Sequence, residues 1–156
     1  MKKIAILTLA LVLIFTLIAC DTKPTQLGTS DFSIILPDGY KATEDDFDED
    51  QVAYFQKDDK SIDFDVYQWE KGNQYTLESE AKYFAGEYNT TASAVTVNGI
   101  NGWKYISTEA FDGNTYTVIN YMFEDDTYIV EISFWTVGND AENAAVEEII
   151  NTLKKN

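Results

Sequence analysis

The side chains in this sequence that are able to do chemistry are carboxylates, aromatic rings and one thiol. Asp63 and Asp65 stand two apart in an alternating segment, so they share one face of a strand, while Glu109 and Glu131 sit inside other strand-like runs. Two carboxylates across a cleft, with pKa values driven apart by unequal burial, are the minimum for acid–base or glycosidic catalysis. Acids on the wet face of a strand are the ordinary alternative in so acidic a chain. The run Glu44, Asp45, Asp46, Asp48, Glu49 and Asp50 gathers the ligands that hard cations prefer. Taken as a calcium loop starting at Asp46, it has Asp48 and Asp50 in the third and fifth places. Gln51 replaces the turn glycine and Lys57 the closing glutamate, so it reads as a solvated acidic loop.

Rings are the third resource. With nine Phe, ten Tyr and three Trp, some must reach the surface. Tyr67, Trp69, Trp103, Tyr116 and Trp135 occupy strand positions that a main core face does not claim. They form the candidate binding face, suited to anchoring a protein partner or stacking on a sugar. The competing reading is that a helix covers them.

What is missing narrows the choice further. There is no histidine, hence no imidazole base and no His-ligated zinc, and a single cysteine excludes a disulfide or a thiolate cluster within the chain. No glycine-rich phosphate loop, GxSxG elbow or SxxK motif occurs. The net charge of −16 and the absence of a basic run argue against nucleic acid, whose phosphates need clustered cations. These absences favour binding over catalysis, with no cofactor and no metal expected.

The thiol has a telling position. Lys2 and Lys3 precede an apolar run from Ile4 to Ala19, interrupted only by Thr8 and Thr16, and the run ends in Leu17-Ile18-Ala19-Cys20. Charge, apolar length, small residue and cysteine in this order resemble the lipobox of bacterial lipoproteins. The resemblance implies that the Cys20 sulfur receives a diacylglyceryl group and that cleavage before it makes Cys20 the mature N-terminus. An uncleaved anchor or a plain secretory leader fits less well, because the run falls short of the ~20 residues a spanning helix prefers. Several acyl chains on one residue suffice for stable anchoring. With Lys2 and Lys3 removed, nine lysines face 27 acids, a charge of −18 that anionic headgroups repel. The lipid, not surface electrostatics, must hold the protein on the outer face of the bacterial cytoplasmic membrane.

The expected organisation is a leader over residues 1–19, a lipidated N-terminus and polar tether over 20–30, and one globular domain over 31–156. Strands are expected at Phe32 to Leu36, Val52 to Phe55, Ser61 to Trp69, Ala94 to Val97, Trp103 to Phe111, Thr115 to Phe123 and Thr127 to Thr136. Turn signals punctuate them at Pro37-Asp38-Gly39, in the Asn-Gly region 98–102 and at Asp112-Gly113-Asn114. A two-residue turn at Asp125-Asp126 would set Phe123 opposite Tyr128 and Tyr121 opposite Val130. Helical spacing begins at Thr76, with Ser79 and Glu80 as start signals, and returns over Asp140 to Lys155, where Lys154 and Lys155 would complement the helix dipole. The order is β-β-β-α-β-β-β-β-α, an α+β fold with a mainly antiparallel sheet of six to seven strands and packed helices.

In that order, the segments FSIILPDGY (Phe32 to Tyr40), VTVNGINGWKY (Val95 to Tyr105), DGNTY (Asp112 to Tyr116) and EEIINTLKK (Glu147 to Lys155) together resemble PsbP-like domains, among them small DcrB-type bacterial lipoproteins. The resemblance implies an α/β/α sandwich and a non-catalytic assembly or accessory role. It transfers no site residue. Cystatin-like α+β sheets share a similar order. The resulting expectation is a membrane-anchored extracytoplasmic protein, held by its lipid, with a protein partner in the cell envelope. A small-ligand or weak cation-binding lipoprotein is the alternative. Cys20→Ser should abolish metabolic acyl labelling and release the protein from membranes, and labelling that persists in the variant would refute the lipid assignment.

Overall fold

The computed structural model describes residues 23–43 and 49–156. The leader, Cys20 and acidic residues 44–48 lie outside the described residues. Ten strands and two helices follow in the order β1 (Thr25–Gln26), β2 (Phe32–Ile34), β3 (Tyr40–Ala42), β4 (Gln51–Lys57), β5 (Asp63–Glu70), α1 (Leu77–Glu87), β6 (Ser93–Val97), β7 (Ile100–Phe111), β8 (Asn114–Glu124), β9 (Tyr128–Thr136), α2 (Asp140–Ile150) and β10 (Lys154–Lys155). Seven of the strands form one antiparallel sheet ordered β3-β4-β5-β9-β8-β7-β6, and β1, β2 and β10 form a small second sheet.

Alternation sorts the central strands into two faces. Phe64 and Val66 of β5, Val130, Ile132 and Phe134 of β9, and Ile119, Tyr121 and Phe123 of β8 point to one side. There they bury against Val146, Ile149 and Ile150 of α2 and against Leu27, Phe32 and Ile34 of the small sheet. On the other side Trp69, Trp103, Tyr105, Met122 and Ile129 pack beneath Leu77, Ala81 and Ala85 of α1. The main sheet is thus the middle layer between two helices, as an α/β/α sandwich requires. A side chain at Gly102 would come within 2.5 Å of the Phe123 ring, so β7 lets that ring approach its backbone.

Local chemistry explains the element ends. Thr76 caps α1 in a reciprocal box with Ser79, as the sequence signals indicate. Asn98-Gly99 and Asp112-Gly113 turn two hairpins with both residues at positive φ, the conformation a two-residue turn of this type needs. Asn101-Gly102, the second pair of that region, continues inside β7 instead.

The strand expected from Phe32 lies in the small sheet, and the unexpected strand β3 takes the edge of the main one. Three further features depart from the sequence reading. Residues 25–30, assigned there to the tether, are part of the fold: Thr25 and Gln26 pair with Ile34 and Ser33, and Leu27 is wholly buried. One apolar residue among polar ones carries no periodicity, yet it fills a gap between the small sheet and the core. The β8–β9 register is displaced by two residues, with Phe123 opposite Val130 and Tyr121 opposite Ile132. The apolar faces still match, since the pleat repeats every two residues. Asp125 decides the longer loop: its Oδ1 accepts from Thr127 N (2.7 Å) and Tyr128 N (2.6 Å), and its Oδ2 accepts from Asp31 N (2.8 Å). Burial opposes its charge, but these backbone donors outweigh that and hold its pKa below the ordinary value. Finally, α2 stops at Ile150, and Lys154 and Lys155 pair with Ser33 and Phe32 as a strand, so they serve no helix dipole. The Asn98 side chain donates to the carbonyls of Asn151 (2.6 Å) and Leu153 (3.1 Å), fixing this reversal.

If residues 25–30 belong to the core, Leu27→Ala should cost about 3 kcal/mol of unfolding free energy, as for other buried leucines. Urea denaturation of the purified protein measures it, and a loss under about 0.5 kcal/mol, the ordinary range for an exposed site, would return the segment to a tether.

Candidate functional site

The second face of the sheet has more area than α1 can cover. The helix lies over β7 and β8 near Trp103, Tyr105 and Met122, and beside it the sheet falls away into a cleft of about 510 Å³. Strand register places the lining. Tyr67 on β5 faces Glu131 on β9, which faces Met122 on β8; one step along, Asp65, Ser133 and Asn120 stand in a row, and beyond them come Asp63, Trp135 and Val118. The period-two alternation that buries Val66, Ile132 and Tyr121 on one side therefore delivers a polar and aromatic row to the other.

Rings form most of the wall. Trp69 meets Phe84 of α1 edge to face at 5.7 Å, and Tyr88, just past α1, stacks on Tyr105 at 6.2 Å. Trp135 stands on the opposite side, its Nε1 donating to Asp65 Oδ2 at 2.8 Å, while Gln51 Nε2 donates to Asp65 Oδ1 at 2.6 Å. The carboxylates of Asp50, Glu109 and Glu131 join this wall. Glu131 lies deepest, 7% exposed, and the Tyr105 hydroxyl donates to its Oε1. Among the described residues no other side chain bonds to it. The amide Nδ2 of Asn120 is engaged with Val118 O at 3.3 Å and Ser107 Oγ at 3.5 Å, which leaves its oxygen as an acceptor.

Electrostatics follow from burial, with no cationic side chain among the described lining residues. Desolvation pushes the Glu131 carboxyl up to about 7; the Tyr105 hydrogen bond works against the rise and the Glu109 charge adds to it. Glu109 is itself raised by burial. The phenols of Tyr105 and Tyr88 are held above their ordinary value, first by burial and then by the neighbouring glutamates. No group of three or more carboxylate or thiol side chains able to hold a metal ion occurs among the described residues.

The five rings singled out in the sequence all lie half-buried on this face. Tyr67, Trp69 and Trp135 come together in the cleft. Tyr116 meets Trp135 edge to face at 5.8 Å and lines an adjoining hollow of about 240 Å³ with Phe111, Tyr54 and Asp63, whose Oδ1 is buried with no hydrogen-bond partner. Trp103 is set apart on the other flank of α1, with the Lys82 ammonium 5.4 Å from its ring. The helix thus covers part of the set and leaves part open, so neither simple reading of the rings describes it. Sequence reasoning missed Phe84, Tyr88 and Tyr105. Tyr105 stands two residues after Trp103 on one strand and so shares its face, a signal that was available; Phe84 and Tyr88 read as core positions of a helix.

Glu131 has a measurable consequence. Its folded-state pKa lies above the ordinary 4.5, so the native protein retains a proton that the unfolded chain releases. Stability from this group is complete below pH 4.5 and is lost as pH rises through about 7, by an amount on the order of 3 kcal/mol. Glu131→Gln should flatten that decline, leaving the variant more stable than wild type at about pH 8 in urea denaturation. An unchanged slope in the variant would contradict the assignment.

Neither a protein-family model nor a curated protein sequence matches the chain. Solved structures do. The chain is similar to the cyanobacterial PsbP of Synechocystis sp. PCC 6803 at 9% identity, with a TM-score of 0.62 over 81% of this chain and 87% of that one. LpqN, involved in cell envelope biogenesis of Mycobacterium tuberculosis, aligns at 11% identity and a TM-score of 0.61, over 85% of this chain and 88% of that one. A protein of Bacteroides thetaiotaomicron VPI-5482 aligns at 21% identity and a TM-score of 0.59; 84% of this chain is covered but 49% of the other, so the chain spans about half that protein's length. At such identities it is the architecture that is shared: this is an α+β domain of the PsbP-like fold.

Proposed function

We propose that the protein is a non-enzymatic, lipid-anchored extracytoplasmic domain of the cell envelope that holds a small organic solute in the cleft beside α1. The single observation that carries the reading is the concavity itself. Its volume of about 510 Å³ lies in the range of small-molecule sites, and rings from β5, β7, β9 and the α1 segment converge on it with a few polar groups between them. A protein-docking face would present its Trp and Tyr side chains flat and outward. Here Tyr67, Trp69 and Trp135 stand around a hollow, half-buried.

The setting has separate support. Residues 2–20 carry the lipobox pattern, and LpqN, which shares the fold, is involved in cell envelope biogenesis. The absence of histidine from the whole chain, and of any cysteine besides Cys20, weighs toward binding over catalysis. An accessory role toward a protein partner is the second reading. It is favoured by Tyr75 and Tyr83, each 61% exposed, and by Phe111, 68% exposed, which are large apolar groups outside the cleft.

Tryptophan fluorescence of the full chain in detergent, titrated with panels of neutral sugars, amphiphiles and amines, tests the cleft. A saturable change with at least one class is expected, weakened about tenfold by Tyr67→Ala or Trp135→Ala, the scale of one lost ring contact. No response to any class at millimolar concentration, or a response indifferent to both variants, would overturn the reading.

A further inference from the structure

We propose that the solute held in this cleft is an organic cation of the ammonium type, bound with its charge against the Glu131 carboxylate and the faces of the surrounding rings. The inference rests on the reading of the cleft as a ligand site and adds the chemical class of the ligand.

Charge sign is the first support. Among the described residues, every charged side chain of the lining is an acid, Asp50, Glu109 and Glu131, and no lysine belongs to it. Lys82, on α1, has its ammonium over Trp103 on the other flank of the helix. A phosphate or carboxylate ligand would meet unopposed like charge, and the acidic chain as a whole concentrates cations near its surface.

Ring faces are the second. An aromatic face carries negative charge density and attracts an ammonium group, more so when water is excluded. The cleft supplies Tyr67, Trp69, Phe84, Tyr88, Tyr105 and Trp135 from both sides. Rings alone would suit an apolar solute equally well. The third support separates the two: Glu131 is nine-tenths buried, with one hydrogen bond from Tyr105 among the described residues and its remaining acceptor capacity toward the cleft. A carboxylate buried without a cation is costly, and a bound ammonium group supplies the missing charge. An apolar solute would deepen that cost by displacing the remaining water. Asn120 Oδ1 is a further acceptor, and across Trp135 the buried Asp63 Oδ1 also lacks a donor. A hard metal ion is a poorer fit, since it needs several oxygens at one point and no group of three or more such ligands able to hold one occurs among the described residues.

The titration of Glu131 then becomes a reporter. Burial pushes the carboxyl up to about 7. Among the described residues the titratable groups around it are Tyr105 and Glu109 on β7, Tyr88 after α1, Tyr67 on β5 and Asp50 before β4, so a bound cation would bring the charge of opposite sign. A cation binds the ionised carboxylate in preference to the neutral acid. Affinity should therefore fall as pH drops below about 7.

Calorimetric titration of the full chain in a non-ionic detergent tests this with choline, tetramethylammonium and cadaverine as probes. The control is 3,3-dimethylbutan-1-ol, which has choline's shape without its charge. At least one ammonium probe should bind, choline about tenfold or more tighter than its neutral isostere if it is the one that does, with affinity rising between about pH 6 and pH 8. Glu131→Gln should weaken binding about tenfold and flatten that rise. Should this variant fail to fold, Glu109→Gln, at the half-exposed edge of the cleft, must weaken ammonium binding while leaving the isostere unaffected. Equal affinity for choline and the isostere, or binding of neutral solutes alone, would overturn the cation while leaving the solute cleft standing. No binding by any probe or by the neutral panel would overturn both.

Discussion

The structure depends on the two-sided burial of its central strands. In β5, β9 and β8 the apolar residues alternate between two cores, and the two faces must be covered by elements from elsewhere in the chain. The first face is covered over its central strands, because α2 and the small sheet of β1, β2 and β10 share the task. The second face has α1 alone. Eleven residues make a helix about 16 Å long, whereas seven strands spaced about 4.8 Å apart set the outer two about 29 Å from each other. One short helix cannot close that surface, and the cleft is what it leaves uncovered.

The composition of the second face is consistent with a surface not meant to close. Its central row carries Asp63, Asp65, Tyr67, Glu131, Ser133 and Asn120, where the opposite face has Phe64, Val66, Ile132 and Phe134. Some of these polar groups are tied into the wall: Asp65 is bridged to Gln51 and to Trp135, and Tyr54 donates to Asp63 Oδ2 at 2.9 Å. These bonds hold the rings in place and keep the carboxylates from competing for the same donors. Glu131 differs in having one phenol as its partner among the described residues. Replacing it by an apolar residue would relieve the desolvation, so its presence costs stability.

Much of this was legible from local patterns. The alternation of Ser61 to Trp69 and of the two strands after Asp112, the Thr76 cap and the Asn-Gly and Asp-Gly turns all rest on forces acting within a few residues. The α+β class and nearly all of the main sheet followed. What failed were features decided by distant partners. Leu27 is one apolar residue in a polar stretch, and its burial depends on the small sheet closing over the core. Asp125 shifts a register by two residues through bonds that reach back to Asp31. Lys154 and Lys155 leave the helical pattern because β2 offers a free edge and Asn98 holds the turn before them.

The site divides in the same way. From the sequence by itself came the types of group available: an acidic chain without histidine, rings on the second face of the strands, carboxylates interleaved with them, and one cysteine at the end of an N-terminal apolar run. Those are properties of composition and of period-two spacing, which no tertiary contact can alter. Only the tertiary structure decided which rings meet. It put Trp103 on one flank of α1 and Tyr67, Trp69 and Trp135 on the other, brought in Phe84 and Tyr88 from the helix segment, and buried Glu131 at the base. Where a short helix lies across a wide sheet is fixed by its packing on Met122 and Ile129, residues far from it in sequence, and that placement turns a row of rings into a cleft.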